Sequence, residues 1–218
     1  MRKWLFVRIP LGFILASIAL VMLLRWVPVR YTPVMLKRAF QFRDQGDYRS
    51  EQEWVSLEEI SPELIHAVIL AEDQKFWQHK GFDWKQLGAM WMAHRQEGAR
   101  LRGCSTISQQ TAKNVFTFGT RSWVRKGLEA WWTVLIELLW SKERILEVYL
   151  NVAEMGKGLY GAEVASQYFF GVPASELNPR QAVSIALCLP SPLSIPPDYL
   201  PAHVRKRFAR IIHMLNSR

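Results

Sequence analysis

From Ile9 to Leu24 the chain carries no charge for about sixteen residues, and that run restricts what its N-terminus can become. With Arg8 and Arg25 snorkelling at its ends it reaches about twenty residues, enough for a helix across a hydrocarbon core of roughly 30 Å. Arg2, Lys3 and Arg8 precede it, so the positive-inside rule places the N-terminus in the cytoplasm and the rest outside. The run is long for a signal peptide. Arg25-Trp26-Val27-Pro28 follows it in place of a small-residue cleavage site, and Ala16-Ser17-Ile18-Ala19 offers only a weak one. We therefore expect a cytoplasmic tip and one transmembrane helix in residues 1–27.

Residues 28–54 read as a connector, because Pro28, Pro33 and the polar run Gln41–Glu53 argue against a regular core element. A globular domain is expected over residues 55–218. Its apolar spacing is helical nearly throughout, with little period-2 alternation, so the expected class is mostly α. Pro62–Ala71 starts a helix with Ser61 as N-cap and Pro62 in the first turn. Helices are also expected at Trp123–Trp140, with a buried stripe Trp131, Val134, Leu135, Leu138 and Leu139, and at Lys142–Asn151, Ala162–Phe170 and Pro179–Leu189. The last is an amphipathic helix through Val204, Phe208, Ile211 and Leu215. Tyr149, Tyr160 and Tyr168 read as core residues with one wet edge.

The net charge of +9 favours an anionic partner. Because the charge lies beyond a membrane span, that partner is a lipid surface or a phosphorylated substrate rather than nucleic acid. Cys104 and Cys188 have neither metal-site nor CxxC spacing.

The densest chemistry lies in Glu72-Asp73-Gln74-Lys75-Phe76-Trp77-Gln78-His79-Lys80-Gly81. If it is helical, Glu72, Phe76 and His79 share a face and Gly81 ends the helix. Glu72 then emerges from an apolar helix, where a carboxylate can meet both a dry pocket and a substrate. Lys113, Arg121, Arg125 and Lys126 form a second, basic cluster, which by itself reads as a solvated face. Glu129 lies one turn beyond Arg125, within pairing distance. Ser105, Thr106, Gln109 and Gln110 suit a sugar or phosphate, and equally a capped helix start. Glu147 and Asn151, one turn apart, read as a buttress.

Five motifs in order carry a resemblance: EDQKFWQHKG (Glu72–Gly81), GCSTISQQTAKN (Gly103–Asn114), RKGLE (Arg125–Glu129), KERILEVYLN (Lys142–Asn151) and GLYGAEVASQYFFG (Gly158–Gly171). Over roughly Ser56 to Pro192 the chain resembles the monofunctional biosynthetic peptidoglycan glycosyltransferases. Cys104 stands where that family usually has a smaller residue. The resemblance implies a lysozyme-like domain with a small membrane-facing lobe, here Phe82–Leu101. It implies polymerisation of lipid II: the growing strand on undecaprenyl pyrophosphate is the donor, and the 4-hydroxyl of lipid II N-acetylglucosamine is the acceptor. The enzyme would sit in the bacterial inner membrane with its catalytic domain outside, among other cell-wall synthesis or division proteins. Glu72 and Glu129 become the catalytic candidates. Asp73, Phe76, His79, Ser105, Thr106, Gln109, Gln110, Lys113, Asn114, Arg121, Arg125 and Lys126 become the substrate-binding ones.

The residues fit that chemistry. A sugar hydroxyl is a poor nucleophile and gains about a hundred- to ten-thousandfold from a positioned base. Inversion needs no glycosyl-enzyme intermediate. The pyrophosphate leaving group needs charge neutralisation more than a proton, which the basic cluster supplies. No cofactor is required, though a divalent cation, magnesium or manganese, at Glu129 would serve the same end. Two other readings remain at this level: a peptidoglycan-cleaving enzyme on the same scaffold, and a non-enzymatic partner of cell-wall assembly.

Overall fold

The computed structural model describes residues 2–45, 48–98, 105–119 and 122–217, with side chains from Arg8 onward except Glu97. The chain is helical: α1 (Arg2–Leu24), α2 (Pro33–Phe42), α3 (Pro62–Glu72), α4 (Trp84–Glu97), α5 (Ile107–Phe116), α6 (Trp123–Leu139), α7 (Lys142–Val152), α8 (Ala162–Phe170), α9 (Pro179–Cys188) and α10 (Ala202–Asn216). Among the described residues, three short strands, β1 (Glu51–Gln52), β2 (Glu154–Gly156) and β3 (Leu159–Tyr160), form one sheet in the order β1-β3-β2. β1 runs parallel to β3, and β2 antiparallel to it.

The helix starts follow local chemistry. Ser61 accepts the Leu64 N–H at 3.2 Å, with Pro62 at the first position of α3. Ser122 and Ser141 cap α6 and α7 in the same way. α3 packs on α9, and α5 packs on both α6 and α7. The core between them holds Leu64, Val68, Phe76, Ile107, Ile136, Leu146 and Ile185, all fully buried. Asn151 ties α7 to the incoming chain: its Oδ1 accepts the Val55 N–H at 3.0 Å and its Nδ2 donates to the Val55 and Glu147 carbonyls, each at 2.9 Å.

Four expectations change. The helix of the first motif stops at Glu72 instead of continuing to Gly81. Asp73 leaves helical geometry (φ −161°, ψ 76°), and turns follow it. The reason is long-range: Asp73 Oδ2 accepts the Ile107 N–H at 3.0 Å, at the positive N-terminus of α5. Gly81 does take a left-handed φ of 88°, but it closes this turn, and an added Cβ would lie 2.9 Å from Thr133 Cγ2.

Second, residues 28–54 contain regular structure. Thr32 accepts the Met35 N–H at 3.2 Å and Pro33 opens α2, while β1 joins the sheet. Pro33 is a helix starter here, at the one position where its missing N–H costs nothing. Third, the buried face of α6 is Trp132, Leu135 and Ile136, whereas Val134 and Leu138 are 42% and 74% exposed. Fourth, Tyr149 and Tyr160 are buried as expected, but Tyr168 is 69% exposed.

α1 lies against α6. Trp131 Nε1 donates to Ser17 Oγ at 3.3 Å, and Trp140 Nε1 to the Val21 carbonyl at 2.8 Å. Phe13 meets Trp131 and Trp132 with centroids 6.2 and 6.3 Å apart. Ile9, Leu11, Leu15 and Leu23 stay exposed. Among the described residues, no helix is long and apolar enough to cross a membrane. α4 buries none of its described side chains, and Trp84, Leu87, Trp91 and Met92 are open.

Candidate active site

α5 is the helix that assembles the site. Its start is fixed by a reciprocal cap: Thr106 Oγ1 accepts the Gln109 N–H, and Gln109 Oε1 accepts the Thr106 N–H, both at 3.1 Å. Thr106 Oγ1 also donates to the Gly81 carbonyl at 2.7 Å. Thr106 therefore spends its hydroxyl on the fold, and Gln109 its amide oxygen. Ser105 is exposed, and its carbonyl accepts from Gln110 Nε2 at 3.4 Å.

Gln110 and Lys113 lie one turn apart on α5, and Gln110 reaches Glu72. Gln110 Nε2 donates to Glu72 Oε2 at 3.0 Å, and Tyr149 OH donates to Gln110 Oε1 at 3.2 Å. The buried phenol thereby fixes which way the amide faces. Burial, reinforced by the Glu72 charge, pushes the Tyr149 hydroxyl well above the usual phenol range, so it stays a donor. The second oxygen of Glu72 meets Arg207 Nη2 of α10 at 3.5 Å, and the same nitrogen donates to the Ala71 carbonyl.

Lys113 is half-buried. Desolvation holds its ammonium below the usual lysine range; Glu129 and Glu72 pull the other way, and Arg125 and Lys126 add to the lowering. Among the described residues it has no hydrogen-bond or ion-pair partner. It lines a pocket of about 270 Å³ with Gln110, Asn114 and Tyr149 on one side and Lys37 and Arg38 of α2 on the other. Asn114 is buried beside it.

Glu129 is 3% exposed on α6, with one oxygen paired to Arg125 and the other to Lys126. Both pairs follow helical spacing. It offers a divalent cation no oxygen that is not already held by a positive side chain. Among the described residues, no group of three or more histidine, cysteine, aspartate or glutamate side chains could hold a metal.

Other expected site residues serve the frame. His79 Nε2 lies 2.9 and 3.0 Å from the two Asp73 oxygens, and the Gly81 N–H donates to Nδ1 at 3.1 Å. The proton therefore sits on Nε2 and is donated to Asp73. Phe76 is fully buried, edge-on to Trp77 and His79 and 4.5 Å from Lys142 Nζ, which leaves no face for a substrate. Arg121 and Cys104 lie outside the described residues. Cys188 is buried, with Sγ donating to the Met155 carbonyl at 3.2 Å.

Lys37, Arg38, Tyr149, Glu154 and Arg207 were not anticipated. Arg38 Nε donates to Glu154 Oε2 at 3.0 Å, which pins α2 to β2 along the pocket. The only local signal for this wall was Thr32-Pro33, a helix start. Nothing in the sequence near Arg207 announced a contact with Glu72, 135 residues away.

Lys113 lies within electrostatic reach of Glu72 and Glu129, with Arg125 and Lys126 nearby, and this grouping of carboxylates and cations on a helical domain suits an enzyme site. The chain belongs to the transglycosylase family, whose model matches residues 38–216. It is similar to a biosynthetic peptidoglycan transglycosylase of Pseudomonas putida, 50% identical over 201 residues, covering 92% of this chain and 85% of the relative. A protein of the same description from Pseudomonas aeruginosa is 48% identical over 202 residues, covering 92% and 87%. One from Bdellovibrio bacteriovorus is 45% identical over 216 residues, covering 97% and 86%.

Proposed function

We propose that this chain polymerises peptidoglycan glycan strands at the cell envelope. The growing strand on undecaprenyl pyrophosphate is the donor, and the 4-hydroxyl of lipid II N-acetylglucosamine attacks its anomeric carbon. Glu72 takes the hydroxyl proton, the new β-1,4 bond forms as the carbon–phosphate oxygen bond breaks, and the pyrophosphate leaves with the electron pair. The α-linked donor gives a β-linked product, so the step is a single inversion.

The observation that carries this reading is the Lys113 side chain, which lines the pocket beside Gln110 and Asn114, within electrostatic reach of Glu72 and Glu129, and has no hydrogen-bond or ion-pair partner among the described residues. A desolvated cation of that kind suits a pyrophosphate. Both Glu129 oxygens are occupied by cations, which makes it an organiser of the pyrophosphate end and not a base. Those cations, rather than a metal, neutralise the leaving group in this reading. Asn114, on the wall of the Lys113 pocket, and Ser105, exposed just before α5, are the remaining polar candidates for substrate contact in this reading.

The same reading makes the apolar run of α1 a single membrane anchor, N-terminus inside, on a lysozyme-like domain. The exposed aromatics of α4 form the small lobe that rests on lipid. The test is purified full-length protein with labelled lipid II. Polymer that lysozyme digests is the expected product. No polymer from lipid II, with fragments released from intact sacculi instead, would overturn it in favour of a cleaving enzyme.

A further inference from the structure

Tyr168 belongs to the fifth motif, yet nothing in the reaction above uses it. Its ring is 69% exposed and is held by Phe169 at 4.9 Å and 80°. It opens into a second cavity of about 510 Å³, also bounded by Arg49, Lys157, Pro192 and Leu193. Pro192 lines this cavity and the Lys113 pocket alike, so the two volumes are neighbours along one wall. The size is that of a ligand site rather than a packing flaw.

The rim is built firmly. Glu51 N–H donates to the Gly158 carbonyl at 2.9 Å, and Gly158, at φ 75°, comes so close that a Cβ would lie 2.0 Å from the Arg49 carbonyl. Only glycine permits that approach. The backbone at Arg49 is thereby fixed at one edge, with Lys157 at the other, and both side chains are exposed.

This arrangement matches the chemistry of a glycan strand. A sugar ring has an apolar C–H face suited to an aromatic ring, and stem peptides end in carboxylates suited to Arg49 and Lys157. A strand whose pyrophosphate end lies on Lys113 must run its earlier units out of that pocket. We propose that the groove between Tyr168, Leu193 and the Gly156–Lys157 turn is a product-strand subsite, with Tyr168 as its stacking platform. It retains disaccharides already joined while the next unit is added. The inference rests on the polymerase reading and adds a hold on the product to it.

The experiment uses the full-length protein in detergent with labelled lipid II, reading first coupling (two lipid II molecules joined) separately from final chain length. Tyr168→Ala is expected to shorten the mean strand by about two- to tenfold, the range of an aromatic contact, and to do so more than it slows first coupling. Tyr168→Phe keeps the ring and should restore the length. Arg49→Gln should shorten strands of substrate carrying free stem carboxylates more than strands of substrate with those carboxylates amidated. Wild-type length from Tyr168→Ala, or a loss of first coupling as large as the loss of length, would overturn the subsite while leaving the polymerase reading intact. Failure of the unmodified enzyme to make any polymer would overturn both.

Discussion

At the residue scale, the two glutamates differ in what holds them. Glu72 meets an amide at 3.0 Å and a guanidinium at 3.5 Å; Glu129 is clamped by two cations. Glu72→Gln should therefore lose turnover by at least about a hundredfold, the lower value of a general base, while lipid-linked donor still binds. Glu129→Gln should weaken donor binding and turnover together. Measuring donor affinity and rate in both folded variants decides it: the opposite pattern would exchange the roles. Lys113 gives a prediction with the opposite sign for stability. Its folded pKa lies below its unfolded value, so the unfolded chain binds more protons between those two values and stability rises with pH through that window. Below it the buried charge is a standing cost. Lys113→Met should melt at a higher temperature than the wild type at neutral pH while losing donor use, and the gain should vanish at a pH above the ordinary lysine range. A lower melting temperature at neutral pH would mean that the two glutamates more than repay the desolvation.

At the scale of elements, Asp73 is the joint between α3 and α5. It accepts from His79 and from the Ile107 N–H, and it ends the helix that presents Glu72. Asp73→Ala leaves both donors buried without a partner. The expected loss is about 1.5–3 kcal/mol, visible as a lower urea midpoint, with turnover falling as Glu72 loses its placement. A variant that keeps both its midpoint and its rate would show that Asp73 positions nothing. Helix identity itself was readable from Ser61-Pro62 and the apolar spacing. What misled was the stretch after Glu72, because helical spacing there is real but Asp73 is drawn off by a helix end 34 residues further on.

At the scale of the whole molecule, the N-terminal helix is part of the body as well as a proposed anchor. It covers Trp131, Trp132 and Trp140, and Arg144 Nη2 donates to the carbonyls of its last residue, Leu24, and of Val27 just beyond it, at 2.8 and 2.7 Å. A chain starting at Pro28 loses all of these. It should keep its helical spectrum and polymerise lipid II in detergent, which can cover α6, but melt at a lower temperature than the full chain and work more slowly on vesicles. An unchanged melting temperature would show that α1 contributes nothing to the fold of the domain.

The sequence by itself determined the helical class, the helix starts, the Arg125–Glu129 pairing distance and, through five ordered motifs, the family. All of these depend on spacing within a few turns of one chain, where capping and side-chain neighbours are set locally. Only the tertiary structure decided which side chains share a site. Gln110 reaches Glu72, Tyr149 orients Gln110, Arg207 closes on Glu72, and α2 walls the Lys113 pocket. Those contacts join segments far apart in the chain, and what selects them is the packing of α5 against α6 and α7 and of α10 against α3, which no local pattern records.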